Sequence, residues 1–260
     1  MKKQTAQNRI RLWAVLFWIA VWQAGSMALQ AAYPNGHLLL PSPITALLRL
    51  GELALTVVFW QSIGRSFLRI IGGFLLSCLA ASLLAVPASR WKWVRELMGP
   101  LVAAIKTVPV ASFIILMLLF LGPVKVPAFI TFLIVLPIVW TNLDEGIASI
   151  DPQLSQVAKM YRFSLSKRLR VLILPSVKPY FLSACKTSIG LAWKADVAAE
   201  IIAMPKNTIG TMIGEAKLYI MSAEMFAWTL TVVLLSLAIE FGVSYLFARL
   251  DGSKVQKEVA

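Results

Sequence analysis

Among the charged residues inside long apolar stretches of this 260-residue chain, five are candidates for chemistry: Lys106, Lys186, Lys194, Asp196 and Glu200. A charge in hydrocarbon costs roughly 2.5–3.5 kcal/mol on insertion scales, so such groups turn towards protein or water. Asp196 and Glu200, four residues apart, share a helix face, whereas Lys194 and Asp196, two apart, do not. Two carboxylates on one face repel and require a cationic neighbour such as Lys106 or Lys194. Two kinds of chemistry are open to these residues: charge pairing in the interior, or contact with a solute crossing the protein. Lys186 and Arg69 lie where their stems can carry the charge to an interface. Trp193 adjoins Lys194 and joins the pathway candidates, as does Pro109, which with Pro137 removes a helical hydrogen bond and favours a kink.

Other chemistries find no support. The lone histidine, His37, has no motif beside it, which argues against a Ser–His–Asp arrangement and an enzyme. One His and two isolated Cys, Cys78 and Cys185, make no metal cluster, and both Cys read as small buried hydrophobes. The phosphate-cradling pattern Gly-x4-Gly-Lys-Ser/Thr is absent, so the chain cannot use ATP by that route alone.

The elements that must hold these residues follow from hydropathy. The chain is 59% hydrophobic and 14% charged, with a mean hydropathy of +0.78. Six runs approach the roughly 20 residues needed to cross a bilayer: Leu12–Ala32, Phe67–Val86, Leu97–Leu121, Val126–Leu143, Tyr180–Ala203 and Met225–Ala248. The expected fold is an all-α integral membrane protein of six spans, one domain over residues 1–260. The first run is longer than a signal core and reads as an uncleaved span. The formal net charge of +13 is not a nucleic-acid footprint, because 16 of the 25 Lys and Arg fall in alternate inter-span segments and 5 in the others. That bias places the N- and C-termini inside. In the outer segment 33–65, Ser42-Pro43 predicts a capped helix with Ile44, Leu47, Leu48 and Leu55 at helical spacing, lying on the interface or forming a lid. Glycines Gly72, Gly73 and Gly190 predict close helix packing.

The longest inner loop, 144–179, is patterned rather than flexible. Asp151-Pro152 starts a helix with Leu154, Val157, Ala158 and Tyr161 on one side, and Lys167–Arg170 leads into Val171–Pro175. A short helix projecting from a membrane protein either docks on a partner or lies on the lipid surface.

This loop resembles the signature loop of permease subunits of bacterial ATP-binding-cassette importers. The signature runs Glu-Ala-Ala, three residues, Gly, nine residues, Ile, one residue, Leu-Pro. The spacing places Gln156-Val157-Ala158, Arg162, Leu172 and Leu174-Pro175 at those positions. Arg162 departs from the Gly expected where the chain leaves a helix with positive φ. Either the turn is built differently or the register moves by one residue. Leu40–Pro43, Ser66–Phe74, Gly190–Trp193, Ala199–Ile202 and Ile209-Gly210 with Ala216 resemble the nitrate, sulfonate and taurine branch. The resemblance implies a coupling helix over 154–163 and a separate homodimeric ATPase that binds ATP and Mg, with no cofactor in this chain. It also implies a second permease copy, an extracytoplasmic solute-binding protein, residence in the bacterial inner membrane, and a small, anionic solute. An ion-coupled carrier working without an ATPase, with Asp196 and Glu200 as ion carriers, is the alternative.

Overall fold

The computed structural model describes residues 12–250, and among them every regular element is helical. In chain order these are α1 (Leu12–Ala32), α2 (Gly36–Leu39), α3 (Pro43–Ala54), α4 (Val57–Ala88), α5 (Lys92–Thr107), α6 (Val110–Ala148), α7 (Pro152–Met160), α8 (Leu165–Arg168), a π-helical segment (Leu169–Ile173), α9 (Leu174–Ala203), α10 (Ile209–Leu218) and α11 (Ser222–Leu250). The basic residues Lys2, Lys3, Arg9, Lys254 and Lys257, used to place the termini, lie outside the described residues, as does Arg11.

Four helices, α1, α4, α6 and α11, are long and apolar enough to cross a membrane by length and composition. The fifth expected span lies in α9, whose 30 residues suffice in length and whose end at Ala203 is the one expected. Its four charges lower its hydropathy. The second span starts earlier than expected: 57–65, expected in the outer segment, is the first part of α4.

The third span is corrected. Leu97–Leu121 is not one helix, because the chain is extended at Val108 (φ −71°, ψ 130°), and Pro109 caps α6 instead of kinking a span. The break follows from Pro109, which disfavours α conformation in the residue before it. α5 is amphipathic, with Val94, Met98 and Val102 buried on one face and Lys92, Arg95 and Lys106 exposed. Arg95 meets Asp144 at 2.6 Å and Lys106 meets Thr141 at 3.0 Å.

α6 is itself interrupted at Gly122 (φ 69°, ψ 169°), a conformation only glycine adopts readily. Phe113 and Ile130 would be about 25 Å apart on a straight helix, yet they line one small cavity. Ile114 packs with Val126, Ile130, Ala195 and Ala199. The chain therefore doubles back at Gly122 into legs 110–121 and 123–148, of which the first, at 12 residues, is shorter than the roughly 20 needed to cross a bilayer.

The described chain packs as two compact units, with boundaries inside α4, α10 and α11. One holds residues 12–60 and 212–232. Its Ser42 caps α3 by accepting from the Thr45 amide at 3.1 Å. Ile44, Leu47 and Leu48 are exposed, as an interfacial helix requires. Arg49 bridges Glu52 (2.7 Å) and Glu224 (2.8 Å), which hold its guanidinium pKa above the ordinary value. Phe59 packs on Trp228, ring centroids 5.1 Å apart.

The other unit holds residues 61–211 and 233–250. Of the expected packing glycines, Gly73 lies against Ala128 and Thr131 of α6, Gly190 lies against the Glu240 carboxylate of α11, and Gly72 faces open space. Cys78 and Cys185 are free and buried, their sulfurs 4.0 Å apart.

Candidate functional site

The second unit buries a polar cluster between α4, α6, α9 and the start of α10. Its centre is Glu200, fully buried. Ser66 on α4 donates its hydroxyl to the carboxylate at 2.8 Å, and the Gly210 amide donates to Oε2 at 3.0 Å. Arg69, one turn beyond Ser66, brings Nη1 to 3.6 Å from Oε1, its side chain 18% exposed. The amide of Ile209 donates in turn to Ser66 Oγ at 3.1 Å. The carboxylate and the serine thus satisfy two of the first amides of α10, whose positive end favours an anion there. Gly210 permits the approach: a Cβ there would lie 2.7 Å from the Ile201 amide and the Val197 carbonyl, and would overlap Glu200 Cβ.

Asp196, one turn before Glu200 and also fully buried, accepts from Thr131 Oγ1 at 2.9 Å through Oδ1. Its Oδ2 has no protein hydrogen-bond partner. The two carboxylates do share a face and do have a cationic neighbour. It is Arg69, however, not Lys106 or Lys194. Lys106 is exposed on α5 and donates to Thr141, and Lys194 is exposed on α9. Trp193 is 1% exposed and so points away from the side Lys194 takes. Arg69 is turned inward to the cluster, not out to the interface. Pro109 belongs to the break before α6, away from these groups in the chain.

The loop forms a second candidate site. Asp151 caps α7 by accepting from the Gln153 amide at 2.7 Å, with Pro152 in the first turn. The helix closes on a Schellman motif: the Phe163 amide donates to Ala158 O at 3.0 Å and the Arg162 amide to Lys159 O at 3.0 Å. Arg162 takes φ 49°. It therefore occupies the position where glycine serves best, and neither a different turn nor a shifted register is needed. Ala158, read on one side of the helix with Leu154, Val157 and Tyr161, is 6% exposed and faces inward. Leu154, Val157, Met160 and Tyr161 are exposed at 55%, 44%, 80% and 75%, and Gln156 is exposed with them. After Ser164 the chain re-enters helix through the π-helical segment, where the Leu174 amide reaches Leu169 O. Leu172 is buried there, whereas Leu174 and Pro175 open α9 exposed.

A family model for the inner membrane component of binding-protein-dependent transport systems matches residues 73–253. The chain belongs to this family. Membership favours the importer permease over the ion-coupled carrier. The family match takes in the loop, Thr131, Asp196, Glu200 and Gly210, while Ser66 and Arg69 precede it.

Among relatives, the chain is similar to a Bacillus subtilis protein named for aliphatic sulfonates transport (permease protein SsuC), 28% identical over 80% of this chain and 74% of the relative. It is 28% identical to the bicarbonate transport system permease protein CmpB of Synechococcus elongatus, over 61% of this chain and 57% of the relative. It is 26% identical to the nitrate import permease protein NrtB of Leptolyngbya laminosa, over 56% and 52%. The chain thus spans a little over half of the bicarbonate and nitrate relatives and about three quarters of the sulfonate one.

Ser66 and Gly210 enter from sequence only as parts of a resemblance, and Thr131 does not enter at all. None carries a charge, and Ser66 and Thr131 lie 134 and 65 residues from their partners Glu200 and Asp196. Glu240, the acidic residue over Gly190, was legible as an intramembrane charge and was missed.

Proposed function

We propose that residues 1–260 act as one permease domain whose loop helix α7 couples to a separate, homodimeric ATPase. The observation that carries this is the solvent-facing apolar set Leu154, Val157, Met160 and Tyr161 on a short, capped and closed helix. An apolar helix face held rigidly outside the spans fits a groove in a partner. In this reading Gln156, Tyr161 and Arg162 lie at the seat, Ala158 and Leu172 are buried behind it, and Leu174 and Pro175 open α9 beside the loop. The partner binds ATP and Mg. A second permease copy completes the pathway, an extracytoplasmic binding protein delivers the solute, and the N-terminus lies inside.

The solute is a small anion. The relatives' names support this class, since sulfonate, bicarbonate and nitrate are all anionic. Exposure of Lys106 and Lys194 on this chain supports a pathway role for them. Burial of Trp193, Asp196 and Glu200 supports a different role, that of tying α9 to α4, α6 and α10.

Cross-linking tests the seat. Met160→Cys, joined to lysines by a thiol-to-amine reagent in the complex purified with its ATPase, should give a permease–ATPase product. Leu76→Cys, on an exposed apolar part of α4, should give none. Absence of the product from Met160→Cys would remove the seat.

A further inference from the structure

A cavity of about 550 Å³ opens where α4, α6, the π-helical segment and α9 meet. Its walls are hydrocarbon, among them Ala85, Leu143, Ile147, Ile173 and Phe181, and Lys178 is the charged residue that lines it. The size is that of a ligand pocket, yet the few convergent polar groups that orient a polar ligand are scarce. The cavity lies at the end of the spans where the loop begins. The π-helical segment that supplies Leu169 and Ile173 to its wall also carries Arg170, and Arg168 ends α8 just before it. Arg168 Nε is buried without a hydrogen-bond partner, though Arg168 does not line the cavity. Asp144, close in sequence to Leu143 and Ile147, is already paired with Arg95 at 2.6 Å. The site is therefore a hydrocarbon slot with one cation, Lys178, in its lining. The π-helical turn in its wall is of a kind found frequently at functional sites.

That pairing of surfaces complements an amphiphile with an anionic head and an acyl tail, and basic pockets between spans on the loop side take such headgroups. We propose that the cavity seats one anionic phospholipid from the leaflet on the loop side. An acyl chain fills the slot, and the phosphate lies at Lys178. The lipid then buttresses the base of the helix that carries α7. This rests on the membrane-spanning reading of α4, α6 and α9, and not on the ATPase seat.

Native mass spectrometry of the delipidated, detergent-purified complex tests it. Phosphatidylglycerol and phosphatidylcholine with identical chains are added in equal amounts. Retention of phosphatidylglycerol should exceed that of phosphatidylcholine by about fivefold, the contribution of one basic residue near an anionic surface. Ala85→Trp, which fills the slot, should abolish retention of both. Lys178→Gln, at an exposed position, should remove the preference without touching the packed core. Equal retention of the two lipids overturns the proposal, as does an unchanged preference in Lys178→Gln. Oleate displacing phosphatidylglycerol at equal concentration, or a photo-cross-link from position 147 to a second permease copy, also overturns it. Normal lipid selectivity without ATPase stimulation would instead fail the coupling reading and leave the lipid site standing.

Discussion

Gly210→Ala isolates the contact that joins α10 to α9. The new methyl carbon would sit 2.7 Å from both the Ile201 amide and the Val197 carbonyl, and on Glu200 Cβ. These are backbone atoms of a helix and cannot rotate away, so α10 must move off α9. Overpacking of this kind costs roughly 1–3 kcal/mol. The movement also breaks the 3.0 Å bond from the Gly210 amide to the Glu200 carboxylate, and a hydrogen bond to a charged group contributes about 1.5–3 kcal/mol. The expected loss is therefore about 2.5–6 kcal/mol. For a chain of this size that lowers the unfolding midpoint by on the order of 10 °C. Gly64→Ala is the matched control. It lies within α4, has nothing within 4 Å of a Cβ, and should gain about 0.5–1 kcal/mol from helix propensity. Thermal unfolding of the two variants in one detergent, read by tryptophan fluorescence, gives the comparison. If Gly210→Ala unfolds at or above the wild-type midpoint, the close approach of α10 to α9 is not what holds the cluster.

Arg69→Met leaves the buried Glu200 without its cation and should cost about 3–5 kcal/mol in the same assay, with Arg69→Lys recovering part of it. Arg162→Gly relieves a left-handed residue at φ 49° and should raise stability by about 1 kcal/mol, whereas Arg162→Val should lower it.

The local rules were legible because their partners are local. Ser42-Pro43 and Asp151-Pro152 each carry a cap acceptor and a proline pre-set for the first turn, and α3 and α7 start where those pairs predict. The signature spacing placed Arg162 correctly even though its identity argued against the turn, because the Schellman bonds are made by backbone and tolerate a strained side chain. The break at Val108-Pro109 was hidden by hydropathy, which averages the amphipathic α5 and the apolar first leg of α6 into one run. The partner of Glu200 was hidden differently. Arg69 pairs across the fold, and only packing selects it over the nearer Lys194. The inward turn of Ala158 likewise depends on what α7 rests against, and helical spacing alone gives a stripe without saying which edge is covered.

The most direct test of the account uses Val157→Glu, a surface change on α7 at a side chain 44% exposed. In proteoliposomes holding the permease, its ATPase and its binding protein, wild type should show solute-stimulated ATP hydrolysis and uptake. The variant should insert and unfold as wild type does, yet lose both stimulation and uptake. Retention of solute-stimulated hydrolysis and uptake at wild-type levels would contradict the assignment of α7 as the coupling element.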